Sequence, residues 1–352
     1  MELSRRSRRA RGRLLTGLLL VGAVACSSST PVTVPVDGTL PVGTLPPVTA
    51  LPATTTALAA ATSTAAPITS TSSAPVATLP CTPTDGVLTT ATGRHVLVRA
   101  NGVAPGSPLV LILHGYTGTP TGIEHYAEFT AMANAASVVV AYPEGTPVQG
   151  FEGFGWATGS SIFSTEGVDD AAALVEMIDA VLATGCVDPA RITIAGESNG
   201  AAMSLVAVCD ARLRDRVASL VMVIPAVDDG VLAHCAAGGR PLPMTVVAGR
   251  LDRTAPYDGG RATLLPQEDW FQRAAALVNG CADAGSRAAL TDQVARVEPG
   301  GCGACSVFLA IADGTHTWPG SSDGVADLRP GTFDLSVRLL QSALGGTPGC
   351  LA

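Results

Sequence analysis

The chain has 352 residues, of which 47 % are hydrophobic and only 14 % are charged, and its net charge is −8. An acidic chain argues against nucleic-acid binding, which needs a basic surface. All 21 basic residues are arginines, so there is no lysine for a Schiff base or a Ser–Lys dyad. The length is sufficient for one large domain with extensions or for two small domains.

The first 26 residues have the pattern of a secretory signal. Six arginines at positions 5–13 precede an apolar run over 14–25, which is shorter than the ~20 residues of a membrane-spanning helix. Ala23-Val24-Ala25 fits an ordinary cleavage site, and Cys26 stands where bacterial lipoproteins carry their acylated cysteine. The segment predicts an exported protein that is either released or attached to the membrane only through a lipid on Cys26.

Residues 27–80 form the next segment, which is rich in Thr, Pro, Ser and Ala and has Asp37 as its only charged residue. Such a composition cannot bury enough apolar surface to fold, so we expect a flexible linker here. If the first 25 residues are removed, 15 arginines and 28 carboxylates remain, a net charge of −13.

From Cys81 to the last residue the chain alternates between short apolar runs and stretches of helical spacing. This alternation predicts a single α/β domain over 81–352 with a doubly wound, mostly parallel sheet. We expect strands at His95–Arg99, Leu109–Leu113, Ser137–Tyr142, Ile192–Ala195, Leu220–Ile224, Met244–Ala248 and Ser306–Ile311. We expect helices at Gly122–Ala135, Val168–Leu182, Asn199–Cys209, Gln267–Val278 and Phe333–Leu344.

The motif Gly196-Glu197-Ser198-Asn199-Gly200 lies between a predicted strand and a predicted helix. A G-x-S-x-G motif in this setting is typical of the nucleophile turn of α/β hydrolases, where a sharp bend exposes the serine hydroxyl at the sheet edge. We therefore expect Ser198 to be a nucleophile. The backbone amide of the next residue, Asn199, would donate one hydrogen bond to the oxyanion. The backbone amide of Tyr116, which follows the turn at Gly115, would donate the other.

The general base should follow the nucleophile in the chain, because the order in this fold is serine, acid, histidine. Only His234 and His316 follow Ser198. His316 lies in a short loop after the last predicted strand, whereas His234 follows no strand and leaves little room for an acid before it. We expect His316 to be the base.

The acid should lie between the nucleophile and the base. Asp252 comes just after the predicted strand Met244–Ala248, at the carboxyl end where such loops meet the nucleophile. We expect Asp252 to orient the imidazole. The alternatives are Asp258 first, then Asp228, Asp229 and Asp313.

Two tryptophans are candidate walls of the substrate pocket. Trp156 lies in Gly155-Trp156-Ala157, and Trp318 lies two residues after the expected base. A flat ring near the nucleophile could stack on a phenolic or sugar ring, although ordinary packing in the core is an equal alternative for each.

Six stretches of the chain resemble the secreted polyhydroxybutyrate depolymerase and feruloyl esterase branch of the α/β-hydrolases. They are Leu113-His114-Gly115, Tyr142-Pro143-Glu144-Gly145, Val168-Asp169-Asp170, the motif around Ser198, Asp252 through Gly260, and His316-Thr317-Trp318-Pro319-Gly320. The resemblance implies a serine esterase with Ser198, Asp252 and His316 as catalytic triad and with no metal or organic cofactor. Ala201 and Ala248 depart from the pattern, which leaves the substrate open.

The nine cysteines fit an oxidising compartment, since eight remain for disulfides if Cys26 is lipidated. Cys302 and Cys305 form a lone C-x-x-C with no second pair or histidine nearby, so we expect bridges and no metal site. Proximity in the sequence and the loop pattern of the family indicate Cys209–Cys235, and Cys281 with either Cys302 or Cys305.

The predicted function is hydrolysis of carboxylic esters through an acyl-serine. Feruloyl or acetyl esters of polysaccharides, short hydroxyalkanoate oligomers and acyl esters of the cell envelope all fit, as small or polymer-derived substrates. Two alternatives remain open: a serine peptidase on the same fold, and a non-catalytic envelope lipoprotein that binds a ligand in a vestigial hydrolase pocket.

Overall fold

The computed structural model describes residues 80–162, 167–236, 239–322, 333–345 and 350–351. The predicted signal, the lipidation site Cys26 and nearly all of the predicted linker lie outside these residues. No helix within the described ranges is long and apolar enough to cross a membrane.

Within the part of the chain that the structure describes, the main sheet has ten strands in the order β1-β2-β4-β3-β7-β8-β9-β12-β11-β10. Its six central strands are parallel, whereas β1, β2, β10 and β11 pair antiparallel at the two edges. The strands are β1 (Gly86–Thr89), β2 (His95–Arg99), β3 (Ser107–Leu113), β4 (Val139–Pro143), β7 (Val187–Glu197), β8 (Ser219–Val223), β9 (Met244–Gly249), β10 (Asp283–Ala289), β11 (Val294–Gly300) and β12 (Ser306–Ile311). A two-stranded sheet joins β5 (Thr146–Pro147) to β6 (Phe154–Gly155).

Helices cover both faces of the sheet, as the apolar central strands require. The helices are α1 (Pro120–Ala127), α2 (Thr130–Ala135), α3 (Asp170–Leu182), α4 (Asn199–Cys209), α5 (Asp229–Leu232), α6 (Gln267–Asn279) and α7 (Leu335–Leu344). Residues of α3, α4, α5 and α6 pack on one face of the sheet, in the same cluster as Leu109 and Leu111 of β3. Residues of α1, α2 and α7 pack on the other face, in the cluster of Val110 and Ile112. The expected doubly wound α/β-hydrolase fold is confirmed.

Several elements differ from the predicted ones, among them β1, the β5–β6 pair and α5, which were not predicted. The helix expected over 122–135 is two helices, because Glu128 adopts a left-handed conformation (φ 50°) that ends α1 and lets the fully buried Phe129 enter the core. The hairpin of β10 and β11 was not predicted, since every residue of β10 is exposed and carries no apolar alternation.

Four disulfides join the eight cysteines of the described domain: Cys81–Cys186, Cys209–Cys235, Cys281–Cys302 and Cys305–Cys350. The expected Cys209–Cys235 bridge is present, and Cys281 pairs with Cys302 rather than with Cys305. The C-x-x-C pair is therefore split between two bridges, and no cluster of metal-ligating side chains occurs among the described residues.

Candidate active site

The predicted nucleophile lies on a sharp turn between β7 and α4. Ser198 has φ 54° and ψ −114°, a conformation that non-glycine residues rarely adopt and that is strained. A side chain at Gly196 would lie 2.3 Å from the carbonyl oxygen of Gly200, and a side chain at Gly200 would lie 2.4 Å from that of His114. Glycine is required at both positions because the backbone must pass this closely.

A continuous hydrogen-bonded chain joins the three residues expected to form the triad. The Ser198 Oγ lies 3.0 Å from His316 Nε2, and His316 Nδ1 lies 2.7 Å from Asp252 Oδ2. The Asp252 side chain is buried, and its Oδ1 accepts hydrogen bonds from the amides of Thr254 and Ala255 at 2.7 and 2.8 Å. These bonds satisfy the carboxylate and fix the direction in which it faces the imidazole.

The loops that carry Asp252 and His316 follow the neighbouring parallel strands β9 and β12. Gly249 and Gly314 allow the loops to touch, since a side chain at Gly249 would lie 2.3 Å from the carbonyl oxygen of Gly314. The Leu251 amide also donates to that same carbonyl at 2.8 Å. Three of the four alternative acids have different partners or lie at the surface, since Asp228 caps α5, Asp229 pairs with Arg273 and Asp258 is exposed. Asp313 is half-buried, and its Oδ1 has no hydrogen-bond partner among the described residues. The rival base His234 is exposed.

The loop that contains Tyr116, expected to supply the second oxyanion donor, is held in place by His114, which is neutral. Burial lowers the pKa of His114 to about 4. Its Nδ1 contacts the Gly115 carbonyl at 2.8 Å, and its Nε2 accepts from the Gly145 amide at 3.2 Å. These partners require the tautomer that carries the proton on Nδ1, so His114 supports the loop from behind. The roles of the Tyr116 and Asn199 amides as oxyanion donors stay predictions.

Trp156 packs against this loop and does not line an open pocket, as in the alternative of ordinary packing. The ring is fully buried and its Nε1–H donates to the His114 carbonyl at 2.8 Å. Its backbone pairs reciprocally with the Asn199 side chain, which accepts from the Trp156 amide and donates to the Trp156 carbonyl. Trp156 thus connects the two segments that carry the expected oxyanion donors.

Trp318 likewise fits the alternative of ordinary packing, because it is 1 % exposed and lies in the core. Its indole N–H donates to Ser336 Oγ at 3.0 Å, and its backbone amide donates to the Tyr126 hydroxyl at 2.8 Å. Both contacts anchor the loop of His316 to α1 and α7. For both tryptophans the packing alternative holds because the indole N–H donates to a buried partner elsewhere in the domain.

Glu197 is a site residue that the sequence reasoning missed. Its side chain is only 13 % exposed, and its Oε1 lies 3.7 Å from His316 Nε2, opposite the side that Asp252 contacts. Burial raises the pKa of Glu197 above its ordinary value, although the nearby His316 and a hydrogen bond from the Gly115 backbone oppose this shift. The sequence offers one signal for this role. Glu197 directly precedes Ser198, and the turn brings both residues to the same edge of the sheet.

Replacing Glu197 by glutamine is expected to stabilise the protein at alkaline pH while slowing ester hydrolysis. Because the folded-state pKa of Glu197 is raised, its contribution to stability is present at acid pH and is lost as pH rises through that value. E197Q should therefore have a higher Tm than the wild type at pH 8 and a similar Tm near pH 4. Loss of the negative charge beside His316 should lower kcat/KM about tenfold, a change of about 1.4 kcal/mol.

Thermal unfolding at both pH values and hydrolysis of p-nitrophenyl acetate measure these effects. Glu298→Gln, on strand β11 and away from His316, is the matched control. An equal Tm difference at pH 4 and pH 8 would contradict the electrostatic explanation.

Known proteins resemble this chain in sequence and in fold. No family model matches the chain. NocK of Nocardia uniformis subsp. tsuyamanensis, described as a candidate esterase, is 27 % identical over 276 residues, 71 % of this chain and 75 % of that protein. Poly(3-hydroxyalkanoate) depolymerase C of Paucimonas lemoignei is 31 % identical over 114 residues, 32 % of this chain and 26 % of that protein.

One further relative by sequence and one solved structure with a similar fold are named as acetylxylan esterases. The bifunctional acetylxylan esterase/xylanase XynS20E of Neocallimastix patriciarum is 26 % identical over 180 residues, 51 % of this chain and 24 % of that protein. The solved acetyl xylan esterase from Aspergillus awamori superposes with a TM-score of 0.50 at 16 % identity, covering 66 % of this chain and 94 % of that one. These relatives agree with the resemblance to the depolymerase and polysaccharide-esterase branch, and the superposition shows the α/β-hydrolase fold.

Proposed function

We propose that the protein is an exported serine esterase that hydrolyses short carboxylic esters through a covalent acyl-enzyme on Ser198. The observation that carries the proposal is the unbroken chain of hydrogen bonds from Ser198 through His316 to the buried Asp252. Nucleophile, base and orienting acid are in hydrogen-bond reach of one another, as acyl transfer requires.

In the first half of the reaction His316 Nε2 takes the proton of Ser198 as Oγ attacks the ester carbonyl. The tetrahedral oxyanion would receive hydrogen bonds from the Tyr116 and Asn199 amides, and Asp252 would stabilise the imidazolium. His316 then gives its proton to the alkoxide as the carbon–oxygen bond breaks, and the alcohol leaves.

In the second half water replaces the alcohol. His316 takes a proton from the water as its oxygen attacks the acyl carbon, and it returns the proton to Ser198 Oγ when the ester bond to the enzyme breaks. The carboxylic acid leaves and the enzyme is regenerated. Within this chemistry the substrate classes are hydroxyalkanoate oligomers, feruloyl or acetyl esters of polysaccharides, and envelope acyl esters.

Export is supported by the four disulfides, since such bridges persist in oxidising compartments. The signal-like first 26 residues support the same proposal, with Cys26 as the site of a lipid that would hold the enzyme at the cell envelope. Radiolabelled palmitate incorporated by the wild type and absent from Cys26→Ser would support the lipid, and release of unlabelled wild type into the medium would contradict it.

Labelling by a fluorophosphonate probe tests the enzyme directly. We expect stoichiometric modification of the native full chain at Ser198, mapped by mass spectrometry, and none after thermal denaturation. The same preparation should release acetate and butyrate from their p-nitrophenyl esters. A folded protein that is neither labelled nor active would overturn the proposal and favour the ligand-binding alternative, and turnover confined to peptide substrates would overturn it in favour of a peptidase.

A further inference from the structure

A groove of about 730 Å³ opens beside the triad, on the side of the acid and the base. It is formed by two short loops, 250–254 after β9 and 315–317 after β12, and so contains both Asp252 and His316. Its other lining residues are two arginines, three threonines and Leu251. The groove is polar and carries positive charge, although the whole chain is acidic.

The position of the groove indicates which part of an ester it would hold. His316 donates its proton to the departing alkoxide, so the alcohol portion of the substrate must lie next to the imidazole. A groove that contains His316 is therefore adjacent to the alcohol portion. The acyl group, attached to Ser198, lies at the other end of the reacting bond.

Of the charged side chains in this groove, the Arg253 guanidinium is the one that can bind a substrate anion. Among the described arginines it alone has a guanidinium without a hydrogen bond, ion pair or ring contact to another described residue, and it is exposed. Its backbone is held, because the Arg261 side chain donates to the carbonyls of Arg253 and Thr254 at 3.3 and 3.0 Å. This loop therefore presents a cation that has no side-chain partner within the described ranges.

The other charges of the groove are already occupied. The Arg250 guanidinium lies 4.5 Å from the centre of the Tyr257 ring and 3.8 Å from Glu268, which also pairs with Arg287. The Asp252 carboxylate is buried and bonded to His316 and to two backbone amides. Among the described residues that line the groove, no carboxylate is free to neutralise Arg253.

We propose that the groove is the subsite for the alcohol portion of the ester and that Arg253 selects substrates whose alcohol portion carries a carboxylate. This inference rests on the proposed esterase function and narrows its substrate to esters of hydroxy acids. A guanidinium binds a carboxylate through two parallel hydrogen bonds, which a neutral sugar hydroxyl cannot match. The end of a hydroxyalkanoate oligomer has this chemistry, since its last ester bond releases a free hydroxy acid.

The test compares two substrates that differ only in charge, 3-acetoxybutyrate and 3-acetoxybutanamide, with acetate release as the readout. The wild-type full chain is expected to prefer the carboxylate by about tenfold in kcat/KM, mainly through KM, and to lose part of this preference as NaCl is raised. Arg253→Gln should bring the ratio close to one. Arg338→Gln, on α7 and in contact with Phe333, is the control and should keep the wild-type ratio.

An unchanged ratio in R253Q, or a wild type that prefers the amide, would overturn the role of Arg253 while leaving the esterase intact. Acetate release from the neutral amide distinguishes this outcome from a failure of the function itself. If a folded wild type released acetate from neither substrate and took no fluorophosphonate label, both proposals would be overturned.

Discussion

Ser198→Ala is expected to lower kcat/KM for ester hydrolysis by about 10⁵-fold or more, since loss of the nucleophile in a serine triad removes the covalent route entirely. The substitution deletes only the hydroxyl, whose hydrogen bond is to His316, so the fold should persist. Rates on p-nitrophenyl acetate, with Tm as the check on folding, measure the effect.

The matched control is Ser219→Ala. Ser219 is a buried serine on the adjacent strand β8, and its hydroxyl contacts Thr193. The S219A variant should have a lower Tm than the wild type but the same kcat/KM for ester hydrolysis. Residual S198A turnover within a hundredfold of the wild type would show that another group attacks the ester.

Asp252→Asn should lower kcat/KM about 10³- to 10⁴-fold while leaving the shape of the site intact, since the corresponding change in serine proteases traps the wrong histidine tautomer. One Asp252 oxygen holds two backbone amides, and an amide oxygen can replace it. The other faces His316 Nδ1, where an NH₂ group would force the imidazole proton onto Nε2. An imidazole protonated there cannot accept the proton of Ser198.

Asp258→Asn settles the choice of acid in the same assay. Asp258 is exposed and only six residues away in the sequence, so D258N should retain nearly full activity. A larger loss in D258N than in D252N would mean that the acid is assigned to the wrong carboxylate. Crude rates on one ester are sufficient, because the expected difference is about a thousandfold.

The positions of the expected triad could be predicted because they depend on chain order and strand ends. Parallel strands bring their carboxyl ends to one edge, so Ser198 after β7, Asp252 after β9 and His316 after β12 must approach one another. The glycines at 249 and 314 add the close loop contact.

The surroundings of the site could not be predicted in the same way. Whether an indole ring faces a substrate or the core depends on its hydrogen-bond partner, and the partners of Trp156 and Trp318 are 42 and 18 residues away in the sequence. The role of Glu197 depends on a side-chain direction set by the strained turn at Ser198. The role proposed for Arg253 could not be predicted either. That its guanidinium has no described partner depends on the tertiary contacts of the side chains around it.

The Cys81–Cys186 bridge has a mechanical consequence. Cys81 comes before the edge strand β1, whereas Cys186 directly precedes β7, which lies between β3 and β8 in the middle of the sheet. Tension applied through the 80 residues that precede Cys81 therefore reaches the central sheet through the bridge and bypasses β1. An edge strand peels away one hydrogen bond at a time, whereas a strand held on both sides resists as a unit. Reduction of this one bridge would transfer the load to β1 and expose the sheet edge beneath it.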